Sequence, residues 1–142
     1  METMHRTFAL VVLLGALVAA CAAPAAPSQS AAAGMPLRVA PGDVGCDTIG
    51  ISYTSARFVI DPTAADPVTA VSDKGRALRT FWAAEFVGGP PDDPVVRDGG
   101  GQVVARHGDV LEIPADGFPE LHGHFVCPSE DALYIFNVPP PL

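Results

Sequence analysis

Residues 37–142 hold 12 of the chain's 15 prolines and 12 of its 14 glycines, and no other feature narrows the fold so far. Proline removes a backbone donor and breaks a helix interior, while glycine costs about 1 kcal/mol there relative to alanine. Breakers at this density leave short uninterrupted runs. Strands of about five residues fit between them, whereas helices of ordinary length do not. A coiled coil, a collagen, a polytopic membrane protein and a multidomain enzyme are all excluded by the same count taken with a length of 142 residues.

The runs between the breakers read as strands. Thr48–Tyr53 alternates, with Ile49, Ile51 and Tyr53 on one face, and Arg57–Ile60 repeats this with Phe58 and Ile60. Val68–Val71 and Ala77–Phe86 flank a Ser72-Asp73-Lys74-Gly75 turn. The second arm fits a helix through Leu78, Phe81, Trp82 and Glu85, or a strand face through Leu78, Thr80, Trp82, Ala84 and Phe86. The turn before it and its aromatic content favour strand. Gly88–Pro94 is loop, and the valine pairs at 95–96 and 103–104, followed by Val110–Ile113, suggest a three-stranded meander. Leu121–Cys127 and Ala132–Val138 bracket a final turn, with Leu133–Phe136 apolar on both faces as a central strand would be. The expectation is an all-β sandwich or small barrel of seven or eight short strands, an OB-like barrel among the forms it could take. OB folds commonly carry a helix between their third and fourth strands, and none is evident here.

Before this domain, Arg6 precedes Phe8–Ala20, a run of 13 apolar residues. As a helix it would span roughly 20 Å, against ~30 Å for a hydrocarbon core. A basic start, a short apolar run and small residues at its end form the pattern of a secretory signal peptide. The Val18-Ala19-Ala20-Cys21 that closes it resembles the lipobox of bacterial prolipoproteins. The resemblance covers residues 1–21 alone and implies that signal peptidase II removes residues 1–20. It further implies a diacylglycerol on the Cys21 thiol and an acyl chain such as palmitate on the new amino group. Residues 22–36 carry no charge, with seven Ala, three Pro and two Ser, and read as a tether. The domain of residues 37–142 would then be extracytoplasmic, with the membrane as a partner through the lipid.

Setting Cys21 aside leaves Cys46 and Cys127. Two cysteines in an exported domain most often form one disulfide; free buried thiols or a metal pair are the alternatives. Residues 37–142 carry 7 Arg or Lys against 15 Asp or Glu, which excludes nucleic acid as a partner.

Motifs that carry catalysis are missing: there is no G-x-S-x-G elbow, no H-E-x-x-H helix and no phosphate-binding glycine loop. Gly99-Gly100-Gly101 reads as a hairpin tip, and Asp92-Asp93 as a solvated loop pair. No catalytic residue and no cofactor beyond the acyl lipid is expected. Two constellations remain. On a continuous strand His122 and His124 share a face, opposite Leu121, Phe125 and Cys127. Both imidazoles are expected outward and dispensable; with His107 or Asp109 folding beside them they could instead hold copper or zinc. Phe81, Trp82 and Phe86 could form a binding patch, or Trp82 could anchor the core. The sequence reads best as an envelope lipoprotein whose domain binds an unknown protein or small ligand. A metal-binding lipoprotein is the alternative, and an envelope hydrolase ranks below both.

Overall fold

The computed structural model describes residues 33–42, 44–46 and 51–137. Residues 1–32, with the signal, the lipobox and nearly all of the tether, lie outside them, as do Thr48–Gly50 and residues 138–142. Among the described residues ten strands appear: β1 Ser55–Ile60, β2 Val68–Ser72, β3 Ala77–Trp82, β4 Val87–Gly88, β5 Val96–Arg97, β6 Val103–Ala105, β7 Val110–Glu112, β8 Glu120–Leu121, β9 His124–Pro128 and β10 Ala132–Phe136. There is no helix among the described residues, so the all-β expectation holds. Seven strands form a nearly closed, barrel-like sheet in the order β7-β1-β2-β3-β10-β9-β8, and β4-β5-β6 form a small second sheet.

β1, β2 and β3 form an antiparallel meander, whose Ser72–Gly75 turn places Gly75 at φ 80°. β10 then joins β3 in parallel, with Tyr134 beside Phe81 and Ile135 beside Trp82, and pairs antiparallel with β9 on its other side. Leu133 and Ile135 face the core, while on the other face Tyr134 stacks on Phe81 and Phe136 lies 6.1 Å from the Phe125 ring, so both faces of the Leu133–Phe136 run are covered by apolar or aromatic groups. On β3 the buried residues are Leu78, Thr80 and Trp82, the period-two face. The core gathers Phe58, Leu78, Trp82, Phe86, Val96, Val104, Leu121, Val126, Leu133 and Ile135. Trp82 is 1% exposed, lies 6.0 Å from the Phe58 ring and 5.4 Å from Phe86, and donates from Nε1 to Thr80 Oγ1.

Three expectations are corrected. Ile51–Tyr53 belong to no strand; the segment is held instead by the Tyr53 hydroxyl donating to the Ser129 carbonyl at 2.6 Å. Burial, with the charges of Glu130 and Asp131, pushes that phenol up to about 12. The valine meander is broken too: β5 and β6 pair with each other, but β7 leaves them and pairs with β1. Lastly, Leu121–Cys127 is not one strand. His122 and Gly123 adopt φ 50° and 83°, a two-residue hairpin turn between β8 and β9.

The small sheet is tied to the N-terminal segment at Gly34 and Gly88, whose backbones pass so closely that a Cβ on either would run into the other strand. Met35 N–H donates to Gly89 O at that crossing. Cys46 and Cys127 form the expected disulfide, with Cα atoms 5.5 Å apart across a separation of 81 residues. It clips the chain at Cys46 to β9.

Candidate functional site

The turn at His122-Gly123 decides where both histidines go. Leu121 and His124 become directly opposed partners and therefore share a face. Leu121 and Val126 belong to the core cluster while Phe125 and Cys127 do not, so His124 faces the core, and Phe125 lies on the opposite face of β9, itself buried against Phe118 and Phe136. The alternation between His124 and its neighbours is as expected, but its direction is reversed. His124 is 8% exposed and stands edge-on to Phe86 at 4.9 Å. His122 sits exposed in the turn, and His107 Nδ1 accepts the Ile60 N–H at 3.1 Å. The structure does not assemble the three. Among the described residues no group of three or more His, Cys, Asp or Glu could hold a metal ion.

The residue that His124 meets is Asp98, which the sequence reading did not single out. Asp98 lies at the tip joining β5 to β6, the hairpin tip expected at Gly99–Gly101. Its Oδ1 accepts the N–H groups of Gly100 and Gln102, and its Oδ2 stands 3.0 Å from His124 Nε2. The pair bridges the small sheet to β9. His124 Nδ1 is buried and has no hydrogen-bond partner among the described residues.

The hydrogen bond with His124, followed by those from the backbone, holds the Asp98 carboxyl below its ordinary 3.8. A folded-state value below the unfolded one gives stability that is complete above the unfolded value and is lost as pH falls. Asp98→Asn is therefore expected to narrow the drop in urea midpoint between about pH 7 and about pH 3. An unchanged drop would assign the acid sensitivity to other carboxylates.

The aromatic trio is also divided. Trp82 and Phe86 are core residues, at 1% and 5% exposure, and leave the proposed patch: Trp82 lies on the buried face of β3, and the turn closed by Phe86 N–H donating to Ala83 O brings Phe86 against it. Phe81 alone remains half-exposed, stacked at 4.9 Å on Tyr134, with the Arg79 and Arg38 guanidinium carbons 5.6 and 6.0 Å from its ring centre. Both cations are already engaged, Arg38 with Asp66 and Arg79 with Asp131, each at 2.8 Å.

The more open site lies where the sheet fails to close. β7 and β8 are its two ends, joined by residues 113–119, and they are not hydrogen-bonded to each other. A cleft of about 530 Å³ separates them, lined by Val103, Arg106, Asp109, Val110, Leu121 and His122. Backbone direction follows from the ladder. Phe58 N–H donates to Asp109 O and Ile113 N–H donates to Thr54 O, while Leu111 is paired with Ala56. Odd-numbered residues of β7 thus face β1, and the backbone groups of Val110 and Glu112 face the cleft. On the other side Val126 N–H donates to Pro119 O and Leu121 opposes His124, which leaves the backbone of Glu120 facing the cleft. Neither edge could be found from sequence, because neither has a motif.

Compared with protein-family models, curated proteins and solved structures, the chain matches none.

Proposed function

We propose that the protein is a lipid-anchored bacterial envelope lipoprotein whose extracytoplasmic domain binds a partner without catalysis. The observation that carries the address is the Val18–Cys21 lipobox at the end of a short apolar run, followed by an uncharged tether. Two acyl chains or more make a stable anchor at ~0.8 kcal/mol per buried CH₂, so the domain itself need not enter the bilayer. The disulfide agrees with an oxidising compartment. The binding role is supported by the open cleft between β7 and β8. The metal-carrier alternative gains nothing from a fold that places His122, His124 and His107 apart.

Intact-mass analysis of the protein made in a bacterial host should give an acylated Cys21 as the first residue. Palmitate labelling should disappear in Cys21→Ala, with the uncut precursor accumulating. A mature protein beginning at any other residue, or lacking acyl mass, ends the lipoprotein reading.

A further inference from the structure

We infer that the cleft between β7 and β8 accepts an extended polypeptide segment bearing lysine or arginine, which adds to the sheet as its closing strand. This rests on the binding-module reading above and gives its ligand a chemical class.

The backbone sets the shape of the occupant. Val110 and Glu112 on one side and Glu120 on the other direct N–H and C=O groups into the same gap, from two edges of one sheet. Unpaired edge groups are templates for another strand, and main-chain bonding of this kind gives affinity without a deep pocket. A compact small molecule satisfies one edge; an extended peptide satisfies both. The cleft volume, about 530 Å³, falls within the range of ordinary binding clefts. Its walls supply contacts for alternate side chains: Val110, which is 50% exposed, and Leu121 and Val103 beside it.

Charge selects the sign of the partner. No Arg or Lys follows Arg106 in the chain, whereas Asp109, Glu112, Asp116 and Glu120 all do. Around the cleft the exposed carboxylates Glu112, Asp116 and Glu120, with Asp109 in its lining, outnumber the cations Arg106, also in the lining, and Arg57, which stands beside Val110 on β1. Arg106 and His122 line the cleft as well, beside Asp109. Charged side chains, lysine above all, blunt an edge, and most strongly against strands of their own sign. These two carry glutamate, and the whole chain has a net charge of −8, so a cationic strand is steered in and an anionic one repelled. A second copy of this chain, equally acidic, is a poor occupant for the same reason.

The test follows backbone amide exchange, residue by residue, in the full chain purified in detergent. The probe is an acetylated and amidated hexapeptide alternating lysine with valine. Matched controls are a glutamate-for-lysine version and one with alternate amides N-methylated. The lysine peptide is expected to slow exchange at Val110, Glu112 and Glu120 by at least about tenfold, while both controls leave them unchanged. Glu112→Lys with Glu120→Lys should reverse the preference toward the glutamate peptide, with the free variant's exchange map elsewhere showing that it folds. Absence of slowing at these amides up to a concentration on the order of 1 mM overturns the proposal. So do equal effects from the control peptides, or amides already protected in the free chain. Protection that grows with protein concentration alone would assign the cleft to a second copy instead. None of these outcomes touches the mass of Cys21, so failure here is distinct from failure of the lipoprotein reading.

Discussion

Reduction of the Cys46–Cys127 bond is expected to lower the free energy of unfolding by about 2–5 kcal/mol. The bond closes a loop across 81 residues, and cross-linking at that distance removes conformational freedom from the unfolded chain equivalent to ~4.5 kcal/mol. A domain near this size has about 5–15 kcal/mol in total, so the melting temperature should fall by roughly 10–30 °C. The geometry adds a local reason. Cys127 lies on the side of β9 away from the core cluster, and the bond fastens the chain at Cys46 to that side of the sheet. Urea melts of the parent with and without reductant, and of the Cys46→Ala, Cys127→Ala pair, measure the effect directly. Equal midpoints would mean that packing alone fixes the chain there.

Trp82→Ala should cost about 3–5 kcal/mol, the range for removing a buried large aromatic. The indole is the centre of a line of rings running from Phe58 through Trp82 and Phe86 to His124. It is also where three strands' worth of backbone converge. The Trp82 N–H donates to Arg38 O, its C=O accepts from Ala40 N–H, and Ile135 sits beside it on β10. Removing the side chain leaves a cavity between the two sheets and frees the Thr80 hydroxyl from its Nε1–H partner. Trp82→Phe should recover most of the loss, since it restores the ring contacts but not that hydrogen bond. Trp82 is the sole tryptophan, so the melts must be followed by circular dichroism rather than indole fluorescence. A cost below about 1 kcal/mol for the alanine variant would remove Trp82 from the centre of the core.

Local alternation was readable where a turn residue announced each end. Leu78, Thr80 and Trp82 share the buried face because Gly75 closes the turn before them and nothing interrupts the period. The same reasoning misdirected His122 and His124. The apolar pattern of Leu121–Cys127 runs through Gly123 without a visible gap, yet glycine after a polar residue is a hairpin-turn pair, as Asn-Gly is. Two residues spent in that turn reset the face of everything after it, and His124 went inward to Asp98. Asp98 itself announced only a turn, since its partner is 26 residues away. Pairings between distant strands leave no local trace. Neither β7 on β1 nor β10 on β3 follows from the residues that make them, and the cleft between β7 and β8 exists only because of both.

The parallel pairing of β10 with β3 fixes an order of events for the newborn chain. β3 ends at Trp82 and β10 begins at Ala132, so about 50 residues must emerge before that edge of the meander finds its mate. Contacts so far apart in sequence make for slow closure, on the millisecond-to-second scale typical of β topologies. Until then β1, β2 and β3 can form a hairpin stack whose outer edge, with Phe81 and Trp82 on it, is bare to any other extended chain. The hazardous moment for this protein is therefore the emergence of its chain into the compartment where it folds, when a finished half-sheet waits for a strand that has yet to arrive.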